Sequence, residues 1–153
     1  MDLRTRITTD LKQAMKDKAV DRLSTLRLVS AAIKDKDIAA RETGNDEGVG
    51  EDEVLAILSK MAKQRLESAR AYEEGGRLDL AEREHSEIVV IEEYLPRQLN
   101  EAETVAAVDA AVAEVGASSI RDMGKVMGLL KGKYTGRMDF GKVGPLLKER
   151  LSN

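Results

Sequence analysis

The sequence lacks the residues on which several common kinds of site depend. It contains no cysteine and only one histidine among 153 residues. Disulfides, thiolate nucleophiles and thiolate metal sites are therefore excluded, and a multi-histidine metal centre cannot be built. Tryptophan is also absent, and aromatic residues make up 3% of the chain. We expect an aliphatic core, and no cofactor or metal site.

Long apolar runs are missing as well. None approaches the ~20 residues that a membrane-spanning helix needs. The first residues lack the apolar stretch of a secretory signal, and Asp2 and Asp10 are unusual in a transit peptide, which is poor in acidic residues. These features predict a soluble, cytoplasmic protein without a membrane partner.

Charge is unevenly distributed along the chain. The net charge is −3, but residues 43–120 carry seven basic and eighteen acidic side chains, whereas residues 121–153 carry eight basic and three acidic ones. A basic end of this kind can attract nucleic acid. Solvated faces of helices would produce the same pattern, so charge alone leaves both interpretations open.

The apolar pattern predicts helices throughout. Apolar residues recur at helical spacing in residues 3–15, 23–33, 55–72 and 78–95, and no stretch shows sustained strand alternation. Between the second and third of these segments, ETGNDEGVGED (residues 42–52) has three glycines and no periodic apolar residue. We therefore expect a mobile loop without core contacts there.

The segment YLPRQLNEAE is the best candidate for a domain boundary. Pro96 ends the fourth helix, and Asn100 with Glu103 has the spacing of a capping pair that opens a fifth helix, which Gly116 ends. The predicted fold is all-α, with a four-helix N-terminal subdomain (residues 1–96) and a three-helix C-terminal subdomain (residues 97–153).

Catalytic motifs are weak. The stretch GRMDFGKV has the spacing of a phosphate-binding loop, but Val143 replaces the required hydroxyl residue. His85-Ser86-Glu87 matches the H-x-E of zinc deaminases, yet their paired cysteines are absent. His85 lies on an apolar stripe, which favours a partly buried, hydrogen-bonded histidine. No catalytic residue is proposed.

Several stretches resemble the YqeY family. Residues 60–99 contain K-Q-R-x-E-S, G-G-R-x-D-L-A and Y-L-P-x-Q-L, residues 23–34 contain L-S-T-L-R and A-A-I-K, and residues 123–128 read MGKVMG. The resemblance covers nearly the whole chain. The sequence departs from the family pattern at Gly144-Pro145, because the last helix of the family has no such interruption. We expect Pro145 to occupy the first turn of the last helix in this chain.

The resemblance implies a two-part, all-α fold shared with the tail region of the GatB subunit of tRNA-dependent amidotransferase. In that enzyme the tail recognises tRNA, while other domains transfer the amide group. A family label of carbon–nitrogen ligase activity with glutamine as donor would then apply by association. We expect this chain not to be an enzyme on its own.

Glycines and cations coincide in MGKVMGLLKGKYTGRMDFGKVG (residues 123–144). Glycine disfavours a helix by ~1 kcal/mol, but it lets a second backbone approach closely. Amides at a helix start with nearby cations would bind phosphate. The candidate RNA-binding residues are Gly124, Lys125, Gly128, Lys131, Lys133, Tyr134, Arg137 and Lys142. Alternatively, the glycines serve only tight packing of short helices.

Two functional hypotheses follow. The first is a tRNA-binding accessory module in tRNA aminoacylation or amidation, with tRNA and a synthetase or amidotransferase component as candidate partners. The second is a non-enzymatic helical module that recruits a protein through its acidic middle or its loop, without RNA contact. The sequence does not predict an oligomeric state.

Overall fold

The computed structural model describes residues 2–152 and contains seven α-helices and no strand within that range. The all-α prediction is confirmed. The helices are α1 (Leu3–Lys16), α2 (Val20–Glu42), α3 (Glu51–Glu74), α4 (Leu78–Glu92), α5 (Glu101–Val115), α6 (Met123–Tyr134) and α7 (Phe140–Leu151), with a short 3₁₀ turn at Ile120–Asp122. Of the helices in residues 2–152, none is both long and apolar enough to cross a membrane.

The chain divides into two compact units, Met1–Leu95 and Pro96–Asn153. The first unit contains α1 to α4, and the second contains α5 to α7. The predicted subdomain boundary between residues 96 and 97 stays a prediction.

The core of the first unit is almost entirely aliphatic. Leu26, Val29, Leu58 and Ile91 are completely buried. The apolar spacing predicted in residues 55–72 runs through Leu66, but Leu66 is 38% exposed. The buried side of α3 is formed instead by Val54, Ile57, Leu58, Met61 and Ala69. Because apolar residues are adjacent at several positions in this helix, the sequence is compatible with more than one buried side. Contacts with neighbouring helices determine which side is buried.

Tyr94 joins α1 and α2 to the chain that follows α4. Its ring is buried, and its hydroxyl donates a hydrogen bond of 2.5 Å to Asp10 Oδ2. Arg22 pairs with Glu93 and also lies 3.8 Å from Asp10, while the Arg6 guanidinium stands 5.2 Å from the centre of the Tyr94 ring. Burial, followed by the hydrogen bond to Asp10, raises the pKa of the phenol. The tyrosine of the Y-L-P motif therefore has a structural role.

The loop before α3 is attached to the first unit through Val49. Val49 is buried, its amide donates to Asp37 Oδ1 at 2.9 Å, and its carbonyl accepts from Arg4 at 3.0 Å. Gly48 has a φ of +91°, and a Cβ there would lie 2.8 Å from Asp37 Oδ1. The prediction of a loop without core contacts is therefore wrong at Val49, because a single apolar residue produces no periodic signal. Residues 51–52 are helical rather than part of the loop.

In the second unit, α5, α6 and α7 surround a smaller aliphatic core. Val108, Val126, Leu130, Val143 and Leu147 are each at most 1% exposed. The predicted start and end of α5 are confirmed: the Asn100 and Glu103 side chains each bond the other residue's backbone amide, and Gly116 takes the left-handed conformation.

The last helix begins earlier than expected. Asp139 caps α7, accepting a hydrogen bond of 3.0 Å from the Gly141 amide, and the helix continues through Gly144 and Pro145. The prediction that Pro145 occupies the first turn is wrong. The helix start at Asp139 was missed because Gly141, the second residue of α7, is a poor helix former.

The segment before α5 is bound to the second unit. Arg97 forms two hydrogen bonds of 2.8 Å with Glu103, and its carbonyl accepts from Arg137 Nε at 3.0 Å. The Leu99 amide donates to the Arg137 carbonyl at 2.9 Å. Arg97 and the Asn100 amide lower the pKa of Glu103 to about 2. Residues 97–99 are therefore held by contacts on both sides of their backbone.

Replacing Asp37 by Asn should weaken the attachment of the Val49 loop. Hydrogen bonds from Arg4 and the Val49 amide lower the pKa of Asp37 from 3.8 to about 2, so its ionised form stabilises the fold. This contribution is present above pH ~5 and is lost as the pH falls from about 4 toward 2. We expect Asp37→Asn to be less stable than wild type by about 1 kcal/mol at pH 7 and nearly equal near pH 2, measured by urea unfolding.

Asp35→Asn is the matched control, because Asp35 is exposed on the same helix. A difference between wild type and Asp37→Asn that stayed constant from pH 7 to pH 2 would show that the charge of Asp37 is not the cause.

Trypsin should cleave the wild-type chain slowly after Arg97, because both the side chain and the carbonyl of this residue are bonded. Glu103→Gln removes the charged partner and keeps a residue suited to the capping box. We expect cleavage after Arg97 to become several times faster, measured by mass spectrometry of timed digests. Glu101→Gln, in the same helical turn, should leave the rate unchanged. Equal rates for wild type and Glu103→Gln would contradict this account.

Candidate nucleic-acid interface

The three glycines of α6 lie on the side of the helix that faces away from the core. Val126 and Leu130 are completely buried on the other side. With 3.6 residues per turn, Gly124, Gly128 and Gly132 fall within about 80° of arc, opposite those two residues. All three glycines are exposed.

Nothing in the described part of the chain packs on these glycines. A Cβ built at Gly124, Gly128 or Gly132 meets no heavy atom within 4 Å. The hypothesis that they permit close packing between short helices is therefore wrong for contacts within residues 2–152. Each glycine still disfavours the helix by ~1 kcal/mol relative to alanine. The exposed side of α6 is a bare stretch of backbone.

Lysines border this bare stretch. Lys125 and Lys131 are exposed, and residues 2–152 supply neither of them with an ion-pair partner within 4 Å. Arg121 adds an exposed cation in the 3₁₀ turn that leads into α6. Sequence reasoning overlooked Arg121, although the charge count of the basic end included it. We call Gly124, Lys125, Gly128, Lys131 and Gly132 the α6 face.

Three other candidate residues make contacts inside the second unit instead. Lys133 Nζ lies 2.9 Å from Glu114 Oε2, which raises the pKa of Lys133. Arg137 bonds the Arg97 carbonyl, and its guanidinium carbon stands 5.9 Å from the centre of the half-buried Tyr134 ring. These contacts place Lys133, Tyr134 and Arg137 in the structure that supports α6, away from the α6 face.

The start of α6 does not offer the free amides that the sequence suggested. The Asp122 and Met123 amides donate to the Ser119 and Ile120 carbonyls in the 3₁₀ turn. The Ser118 amide donates to Asp122 Oδ2 at 3.0 Å, which lowers the pKa of that carboxyl group. These contacts disfavour a phosphate site at this helix start, since the turn uses the Asp122 and Met123 amides and Asp122 adds a negative charge.

Lys142, the last candidate, lines a cleft within the second unit. The cleft has a volume of about 500 Å³ and lies beside the starts of α5 and α7. Half-buried Leu99, Val105 and Leu146 form its apolar lining, and Arg137 also borders it. The structure thus separates the candidate residues into the α6 face, the supporting contacts and this cleft.

The single histidine of the sequence lies in the first unit. His85 is exposed and bonds Glu73 Oε1 at 2.9 Å, so the prediction of a hydrogen-bonded histidine is confirmed and its partial burial is wrong. The prediction of partial burial failed because His85 lies beside the buried side of α4, which Ala81, Ile88 and Ile91 form. In the described range, no group of three His, Asp or Glu side chains could hold a metal ion.

Three curated relatives carry the same name, "Altered inheritance of mitochondria protein 41, mitochondrial". The protein of Vanderwaltozyma polyspora is 38% identical over 86 residues, which cover 56% of this chain and 44% of the relative. That of Meyerozyma guilliermondii is 41% identical over 88 residues, covering 56% and 42%. That of Lachancea thermotolerans is 40% identical over 86 residues, covering 56% and 44%. The chain spans less than half the length of these relatives.

These names contradict the expected cytoplasmic location, because each of the three relatives is named as a mitochondrial protein. The expectation failed because the charge and hydropathy of a few residues do not determine where a protein acts.

The family described as "Yqey-like protein" matches residues 4–151, which is nearly the whole chain. The match includes all seven helices except the first residue of α1. The resemblance inferred from the short motifs is confirmed, and the chain belongs to the Yqey-like protein family.

Proposed function

We propose that this chain is a tRNA-binding accessory module associated with tRNA aminoacylation or amidation, and that it holds the RNA backbone on the α6 face. The observation that carries the proposal is the uncovered glycine side of α6 between Lys125 and Lys131. Three residues that weaken a helix and pack against nothing in the described chain need a reason outside it.

The chemistry of the α6 face suits an RNA backbone. Double-stranded RNA presents phosphates and 2′-hydroxyls across a wide, shallow minor groove, and proteins recognise it mostly by shape. A helix side without side chains at three successive turns lets such a surface approach the backbone closely. Lys125 and Lys131 would then neutralise phosphates on either side of the contact.

Membership of the Yqey-like family supports the association with tRNA amidation through the resemblance to the GatB tail. In this proposal the module recognises tRNA, and amide transfer is left to other proteins. A tRNA synthetase or an amidotransferase component is accordingly the kind of protein partner expected.

The competing function is a protein-interaction module that makes no RNA contact. Its support is the acidic middle of the sequence, which would suit a basic protein partner. The two functions differ in how binding depends on salt, because release of counterions from RNA makes affinity fall steeply with ionic strength.

Reversing the two unpaired lysines should weaken tRNA binding for every tRNA species. In Lys125→Glu/Lys131→Glu, the slope of log affinity against log salt should flatten by roughly 0.7–0.9 for each phosphate that the variant no longer neutralises. Filter-binding titrations at several salt concentrations measure both quantities. The matched control is Lys12→Glu/Lys16→Glu, which reverses two exposed lysines four residues apart on α1. Equal affinities for the two double variants would favour the protein-interaction module.

Gly128→Leu should separate binding from stability. Leucine is the better helix former by ~1 kcal/mol, and its Cβ would enter open space. We expect a melting temperature equal to or above that of wild type, together with weaker tRNA binding, because the side chain blocks close approach. A lower melting temperature would mean that Gly128 packs on protein, and unchanged affinity would remove the α6 face from the binding site.

A further inference from the structure

The cleft beside the starts of α5 and α7 has the size and lining of a ligand site. Its volume of about 500 Å³ falls within the range of ~300–1,000 Å³ found for small-molecule pockets. Apolar side chains from three places in the second unit converge on it: Leu99 before α5, Val105 in α5 and Leu146 in α7. These three side chains are half-buried, so apolar surface remains open to an occupant.

The polar groups around this lining carry both signs of charge. Arg137 and Lys142 are the two cations, and Glu101 and Asp139 are the two carboxylates. Arg137 is already held by the Arg97 carbonyl at 3.0 Å, whereas Lys142 is exposed on α7. A long run of phosphates would meet repulsion from the carboxylates. The balance of charge instead suits a ligand with one negative group and a neutral, polar body.

Hydrogen-bonding groups add to this complementarity. Gln98 Nε2 donates to the carbonyls of Pro96 and Gly136. These bonds fix the orientation of the side-chain amide and leave its oxygen, Oε1, as a hydrogen-bond acceptor. The Thr104 hydroxyl donates to the Asn100 carbonyl at 2.8 Å, so its oxygen can accept a further bond. The carboxylate of Glu101 is a third acceptor. Acceptors beside an apolar wall are what the exocyclic amino group of a nucleobase requires.

We propose that this cleft binds one unpaired nucleotide of an RNA strand, an inference that rests on the proposed function. The base lies against Leu99, Val105 and Leu146, its amino group donates to Glu101 or Gln98, and its phosphate is held by Lys142. Sequence-specific recognition of RNA is directed mainly at unpaired bases, since the bases of a duplex are stacked and paired. The cleft would therefore distinguish unpaired from paired RNA, which the α6 face does not.

NMR titration of the ¹⁵N-labelled chain tests the cleft and the α6 face separately. The probes are a single-stranded RNA hexamer of mixed sequence and a blunt RNA duplex. We expect the hexamer to shift the amide signals of Leu99, Val105 and Lys142. The duplex should shift those of Lys125, Gly128 and Lys131 and leave the cleft signals in place.

Val105→Glu replaces part of the apolar wall by a carboxylate, which repels the phosphate, and should weaken hexamer binding by about tenfold with duplex binding unchanged. The matched control is Ala106→Glu, because Ala106 is the next residue of α5, is exposed and does not line the cleft. Retained duplex binding also shows that Val105→Glu remains folded. If Val105→Glu disrupts the fold, Lys142→Glu replaces it, with Lys148→Glu as its control.

The outcomes separate the two proposals. Hexamer-induced shifts that miss the cleft, or equal hexamer affinity in wild type and the cleft variant, would overturn the nucleotide site while duplex binding kept the proposed function intact. Absence of binding to either RNA would overturn both. Cleft shifts with the hexamer and none with the duplex would retain the nucleotide site and remove the α6 face.

Discussion

The second unit depends on burial of one side of α6. Three glycines within this helix oppose its formation by roughly 3 kcal/mol together, at about 1 kcal/mol each. Complete burial of Val126 and Leu130 contributes about 1.5–3 kcal/mol for each side chain, which is enough to offset that loss. Packing against α5 and α7 therefore holds a helix that its own composition would not maintain. The opposite side of α6 packs on nothing within residues 2–152.

Because only one side of α6 is packed, the other side of this helix can present bare backbone to a ligand. Lys133, Tyr134 and Arg137 support the arrangement through Glu114 and the Arg97 carbonyl, so they contribute to position rather than to contact. Gly124, Gly128 and Gly132 lower the stability of the helix and pack against nothing in the described chain. Departures of this kind from local preference are found where function, rather than stability, determines the residue.

The sequence was most informative where structure depends on neighbours along the chain. The Asn100–Glu103 capping box and the left-handed Gly116 are set within one turn, and both were predicted. The attachment of Val49 to Asp37 and the pairing of Lys133 with Glu114 join residues distant in sequence, so no local pattern indicated them. For the same reason, spacing alone predicted cations and glycines for the site but could not distinguish the α6 face from its supporting contacts.

The two proposed contacts would contribute differently to recognition. Contact between Lys125, Lys131 and phosphates depends on charge, so it provides affinity that is independent of sequence and sensitive to salt. The cleft combines apolar lining from Leu99, Val105 and Leu146 with opposing charges, so its interaction depends less on salt and more on whether a base is available. Aromatic residues make up only 3% of the chain, and none of them lines the cleft. In this proposal the cleft selects an unpaired nucleotide by burying its base against aliphatic side chains and by accepting hydrogen bonds from it.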